Sequence, residues 1–152
     1  MYKTKPGTFE KMGIKSYQTM LSVTQSQQSL KQMLSICLEH YGLTMMQWLV
    51  IGVLLDQPQK PVDIAKRIGV TPPYVTLILN QVNELGYITK TIIEDDERSK
   101  RIVISSEGKS LAKEVEKKLM YCIEREIGGL PAEDLSNFFH VTDYIAKNVR
   151  HR

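Results

Sequence analysis

Apolar residues mark the chain into segments with two different periods. Ile14, Tyr17, Leu21, Leu30, Met33, Leu34, Cys37, Leu38 and Tyr41 recur at helical spacing, which predicts a helix over 14–41 closed by Gly42. Its middle, TQSQQS, is polar. In LTMMQWLVIGVLLD, Thr44 is an N-cap, Gln47 completes a capping box, and Leu43 and Trp48 stand at the staple positions. Apolar residues run all round this segment, so it is expected to be a central, buried helix. KPVDIAKRIG predicts a short helix that buries Val62, Ile64, Ala65 and Ile68 and stops at Gly69. VTPPYVTLILNQVNELG predicts another, capped by Thr71, opened by Pro72, stapled from Val70 to Val75 and closed by Gly86.

The period then changes to two. Residues 87–93 and 101–104 read as strands of one hairpin. Ser105 caps a helix over 106–127, with Leu111, Val115, Leu119, Cys122 and Ile123 inward and Lys113, Glu114, Glu116, Lys117 and Lys118 outward. GGLPAEDL breaks it. Pro131 opens a last helix with a stripe of Leu135, Phe138, Thr142, Ile145 and Val149. The expected fold is mainly α with a small β-hairpin: a winged helix-turn-helix with N- and C-terminal dimerisation helices. Three regions are expected: 1–42 and 106–152 for dimerisation, and 43–105 as a DNA-binding block. The outer stripes exceed what that block covers, and such stripes meet a partner chain.

The second helix of the helix-turn-helix has two distinct faces. Val75, Ile78, Leu79, Val82 and Leu85 share one side; Pro73, Thr76, Leu77, Asn80 and Glu84 share the other. Leu77 stands mid-face where solvent is expected. It is either a stray surface leucine or an apolar contact for a thymine methyl, flanked by Thr76 and Asn80 as hydrogen-bond formers. Thr71, Pro73 and Tyr74 form the turn that enters a major groove in this motif. No Lys or Arg occurs over residues 68–89, so backbone contacts fall to Lys66, Arg67 and Lys90.

Charge alters this picture only locally. The net charge is +3, and residues 1–40, with five bases and two acids, hold all of the excess. The hairpin tip EDDERSKR has four acids and three bases. Alone it reads as a solvated turn; beside a helix-turn-helix it reads as a wing. Cys37 and Cys122 have neither metal nor framework spacing and read as small buried residues, with redox sensing as the alternative. No apolar run reaches membrane-span length, and the first residues lack a signal-peptide core. A cytoplasmic protein without a membrane association is expected. His40, His140 and His151 are scattered, and no phosphate loop or nucleophile–base spacing appears, so an enzyme is not expected. No cofactor is expected.

Residues 43–108 resemble the MarR family of transcription regulators. The matching segments are LTMMQWLVI, DIAKRIGVTPPYVTLILNQVNELGYI and DDERSKRIVISSEG, in which Asp96, Arg98, Ser105 and Gly108 fall at the family's wing and helix-start positions. The resemblance implies a homodimeric regulator, a repressor, on a pseudo-palindromic operator. It implies that Arg98 enters the minor groove with Asp96 orienting its guanidinium; Lys100 and Arg101 lie near the backbone. A carboxylate can hold a guanidinium bidentately, and arginine suits the negative potential of a narrow minor groove. Many relatives answer to a small, often phenolic effector; Tyr17, Tyr41, Met45 and Trp48 are candidate lining, and each also reads as plain core. The effector itself is unknown from the sequence. The chain departs from the family in its base-free recognition helix and acidic tip, which predict weak non-specific binding. The alternative is a winged-helix module for protein–protein contact, with Leu77 as anchor.

Overall fold

The computed structural model describes residues 7–92 and 100–148. Among them the order is α1 (Thr8–Lys11), α2 (Ser16–Glu39), α3 (Met45–Asp56), α4 (Pro61–Ile68), α5 (Pro72–Glu84), β1 (Ile88–Ile92), β2 (Lys100–Ile104), α6 (Ser106–Ile127) and α7 (Ala132–Asn148). The expected class, mainly helical with one small antiparallel hairpin, is what forms.

Local chemistry sets the helix starts. The Thr44 hydroxyl accepts the Gln47 N–H at 3.2 Å, and the Gln47 side chain accepts the Thr44 N–H at 2.9 Å. This reciprocal pair satisfies two donors that a helix start otherwise leaves open. Gly69, at φ 80°, lets α4 end in a left-handed residue so that the chain turns directly into α5. Thr71 occupies the N-cap of α5 but accepts no side-chain bond, contrary to expectation. Prolines fill the first two helical positions and remove the second-position donor, so only the Tyr74 N–H remains for such a cap.

The centre is α3. It packs against α2, α4, α5, α6 and β2 and buries Gln47, Val50, Ile51 and Leu54. It is not buried all round: Leu49 and Leu55 are exposed, because its neighbours cover only part of its circumference. The expected burial of Val62 also fails, at 63% exposure. At about 100° per residue, Ile64, Ala65 and Ile68 cluster on one side of α4 and Val62 stands opposite. Leu85, at the C-cap of α5, is exposed as well. Leu111 and Ile123 of α6 are half-buried, while Ala112, Val115, Leu119 and Cys122 are sealed.

The hairpin pairs Ile88 with Ile104, Thr89 with Val103, Lys90 with Ile102, Thr91 with Arg101 and Ile92 with Lys100. Gln59, in the link between α3 and α4, adds a short third lane. It exchanges backbone hydrogen bonds with Ile102 at 2.8 and 3.2 Å, and its side chain donates to the Val53 carbonyl at 2.9 Å. At the far end the Ser105 hydroxyl donates to the Gly86 carbonyl at 2.7 Å and accepts the Gly108 N–H at 3.0 Å. One side chain therefore joins the end of α5, the base of the hairpin and the start of α6.

Cys37 and Cys122 are brought together by the fold, which the spacing did not indicate. Both are buried, as expected, but a disulfide joins them across α2 and α6 despite 85 residues of intervening sequence. The outer helices are thinly covered. Tyr17, Met20, Leu21 and Val23 of α2 are exposed, as are Phe138, Phe139, Val141, Tyr144 and Ile145 of α7, which buries no residue.

Gly108 is the position least able to accept a side chain. A Cβ there meets the Tyr87 carbonyl oxygen at 2.2 Å and Ile104 Cγ1 at 2.8 Å. Gly108→Ala is expected to lower stability by about 1–3 kcal/mol, the range for overpacking, whereas Thr44→Ala is expected to cost about 1 kcal/mol. Urea denaturation of both variants checks the order.

Candidate nucleic-acid interface

The candidate interface is built on α5. Its inner face, Val75, Ile78, Leu79 and Val82, is sealed against the core, and α5 packs on α3, α4 and β1. Its outer face is therefore presented by a helix held on three sides. Pro73, Tyr74, Thr76, Leu77, Asn80 and Glu84 are all exposed, and Leu77 keeps 52% of its surface open.

This face carries no cation, and Glu84 at its far end is its one charged group. The Thr76 hydroxyl donates to the Pro72 carbonyl at 3.1 Å, so its proton is engaged and its oxygen is offered as an acceptor. Asn80 carries an amide with both donor and acceptor, the pattern that matches an adenine edge. Pro72 and Pro73 stiffen the first turn. Thr71 and Tyr74 are exposed beside them.

A polar contact missed in the sequence holds α5 in place. Gln47 Nε2 donates to Gln81 Oε1 at 3.1 Å, while the same Gln47 side chain closes the α3 cap. Gln47 was legible as a capping residue. Its second role was not, because residues 34 positions apart in sequence meet only in the tertiary fold.

The bases are distributed unevenly. Lys66 and Arg67 are exposed at the end of α4, where Arg67 pairs with Asp56 at the end of α3. Both also line a cleft of about 650 Å³ with Asp63 and with Asp143 and Lys147 of α7. Arg101 is exposed on β2. Lys90 and Lys100 are placed by register on β1 and β2; their side chains, and Asp96 and Arg98 altogether, lie outside the described residues. Of the candidate effector residues, Tyr41, Met45 and Trp48 pack half-buried against the core near the junction of α2 and α3. Tyr17 is at the opposite end of the 24-residue α2, roughly 33 Å along the axis at about 1.5 Å per residue. Within one chain the four are not brought together.

Two ionisable side chains of α6 are perturbed. The Glu107 carboxyl is held below the usual carboxylate range, chiefly by a hydrogen bond from its own backbone N–H and next by the Ser106 hydroxyl. The Arg125 guanidinium is raised by its hydrogen bond and charge pairing with Glu126. Neither belongs to the α5 face. Among the described residues, no group of His, Cys, Asp and Glu is placed to hold a metal ion, and no helix is long and apolar enough to cross a membrane.

A short helix, a left-handed glycine turn, a second helix with an open face and a hairpin directly after it define a winged helix-turn-helix protein, here flanked by long helices. Residues 41–99 match the model of the MarR family. The fold is similar to that of CouR from Rhodococcus jostii, solved bound to p-coumaroyl-CoA, with 18% identity, 83% of this chain and 90% of that one covered, and a TM-score of 0.78. A MarR-family transcriptional regulator from a Rhodococcus species gives 18% identity, 87% and 94% coverage, and a TM-score of 0.79. A mutant MarR from E. coli, solved in complex with operator DNA, gives 14% identity, 91% and 97% coverage, and a TM-score of 0.75. The resemblance read from the sequence holds: this chain has the winged-helix fold of the MarR family of transcription regulators.

The two faces of α5 make a direct test. Leu77→Ala is expected to change stability by no more than about 0.5 kcal/mol, as for surface sites, and Ile78→Ala to cost about 2–5 kcal/mol. Equal losses in chemical denaturation would show that α5 is seated differently.

Proposed function

We propose that this chain is a cytoplasmic, sequence-specific regulator of transcription, a repressor, that binds a pseudo-palindromic duplex operator as a homodimer. The observation that carries this reading is the outer face of α5. A helix pinned on three sides presents Thr76, Leu77 and Asn80 to solvent, with Thr71, Pro73 and Tyr74 at its leading turn. Such a face suits base edges in a major groove: the Thr76 oxygen as acceptor, the Asn80 amide as donor and acceptor, and apolar contact of Leu77 with a thymine methyl. The MarR fold solved on operator DNA supports the same assignment.

In this reading the hairpin reaches the adjacent minor groove through Arg98, steadied by Asp96, and Lys100 and Arg101 lie along the backbone, as do Lys66, Arg67 and Lys90. With no base on α5, non-specific affinity is low, because that part of binding scales with the number of phosphates neutralised. Residues 43–105 form the DNA-binding block, and residues 1–42 and 106–152 join two copies. The exposed apolar side chains of α2 and α7 support this pairing. A dimer places two α5 helices about one helical turn (roughly 10 bp) apart. The CouR structure contains p-coumaroyl-CoA, which supports a small aromatic effector here too. Tyr41, Met45 and Trp48 at the junction of α2 and α3 are its candidate lining, joined by Tyr17 from the far end of an α2 helix.

The same exposed Leu77 equally suits a protein partner, the second reading. Salt dependence separates them: duplex binding weakens steeply as salt rises, and an apolar protein contact does not.

Selection of bound sequences from random duplex DNA is expected to return an inverted repeat. On that repeat, Arg98→Ala is expected to weaken binding about tenfold or more, within the range of 1–3 kcal/mol for a lost specific arginine contact, and Asp96→Ala to weaken it less. Gel shifts at fixed salt in which both variants match the parent would remove the hairpin from the mechanism.

A further inference from the structure

The outer face of α5 sets two unlike groups next to each other. The Thr76 hydroxyl donates to the Pro72 carbonyl at 3.1 Å, so its proton is spent within the helix and its oxygen meets solvent as an acceptor. Leu77, the next residue, offers an apolar side chain with 52% of its surface open. At about 100° per residue the two diverge around the axis and leave a gap between their ends. Pro73 stands one turn before this gap and Asn80 one turn after it.

An acceptor beside an apolar group has a defined complement: a donor beside an apolar group. Base edges in a major groove differ in this respect. Thymine shows an O4 acceptor next to its C5 methyl, and cytosine shows an N4–H donor next to a bare C5–H. The purines carry no methyl group on this edge. Thymine therefore satisfies Leu77 but sets its O4 oxygen against the Thr76 oxygen. Cytosine satisfies Thr76 but leaves Leu77 without an apolar partner. Cytosine with a methyl group at C5 satisfies both.

The surroundings suit a duplex. No Lys or Arg occurs on α5, while Lys66 and Arg67 are exposed at the end of α4 just before it and Arg101 is exposed on β2 of the hairpin that follows it. An apolar centre between flanking bases matches a groove with phosphate walls and methyl groups on its floor. Guanine reading by arginine, the commonest specific contact, has no donor on this helix. Discrimination by α5 thus falls more heavily on pyrimidine edges.

We propose that Thr76 and Leu77 form a site for 5-methylcytosine in duplex DNA, so that methylation of one cytosine in each half of the operator strengthens binding. Thr76 accepts a hydrogen bond from N4, and Leu77 covers the C5 methyl. The regulator reading, on which this rests, sets Leu77 on a thymine methyl; the acceptor beside it makes methylated cytosine the better fit.

In the test, the full chain selects from random duplexes in which every cytosine is 5-methylcytosine. The inverted repeat it retains is then remade with single changes in one half-site and measured by gel shift. At one position, cytosine in place of 5-methylcytosine is expected to weaken binding about fourfold, the worth of one buried carbon. Thymine there, with adenine opposite, is expected to weaken it about fivefold, through loss of the hydrogen bond from N4. Leu77→Ala should bind the methylated and plain forms equally and still prefer cytosine to thymine. Thr76→Val should lose the preference for 5-methylcytosine over thymine and keep the demand for a methyl group. Equal binding of cytosine and 5-methylcytosine at every position would overturn the inference and leave the regulator reading standing. So would thymine binding as tightly as 5-methylcytosine at the position where the methyl group counts. If neither this library nor an unmodified one yielded a bound duplex at any salt concentration, the regulator reading would fall and this inference with it.

Discussion

The hydroxyl of Ser105 joins the parts of the winged helix-turn-helix. It donates to the carbonyl that closes α5 and accepts the N–H of Gly108 in the first turn of α6, while the Ser105 N–H reaches the Tyr87 carbonyl at 2.9 Å. Three elements meet within one residue of each other there, and the absence of a side chain at Gly108 is what lets α6 come so close to Tyr87. The orientation of α5 against the hairpin follows from this joint. So does the direction in which α6 leaves, and hence where the outer helices can meet a second copy. A second tie, from Gln47 to Gln81, fixes the other side of α5 to α3. Both ties, with the sealed inner face, set which side of α5 is exposed.

That surface contains no cation, which separates two tasks that are often combined. In the proposed reading, base contact falls to short neutral groups and one leucine, and long-range attraction to bases at the edges. One of those, Arg67, is already paired with Asp56. An exposed pair of this kind contributes little to stability, but it tempers the charge that a phosphate meets. Specificity in such a design leans on shape and hydrogen-bond pattern more than on electrostatic pull.

The outer helices carry a different constraint. Exposed aromatic and aliphatic side chains on α2 and α7 leave a single copy with apolar surface that water penalises, at about 25 cal/mol for each Å² left uncovered. The Cys37–Cys122 pair joins α2, which carries part of this surface, to α6, which follows the hairpin.

Short-range spacing specified the local features. The Thr44–Gln47 box, the Gly69 turn and the two faces of α5 follow from spacing and side-chain chemistry within a few residues, and all were legible. How far each helix is covered was set by packing, which is why Val62, Leu49 and Leu55 proved exposed: burial depends on neighbours, and periodicity names a face without naming what lies against it. The same holds for the Gln47–Gln81 bond, the Gln59 lane beside β2 and the Cys37–Cys122 pair. Each joins residues distant in sequence, so no local pattern encodes it. Of the site, the α5 face was readable because helix geometry alone orients it. The effector residues were not, because Tyr17 and Trp48 belong to helices whose mutual placement is set by packing.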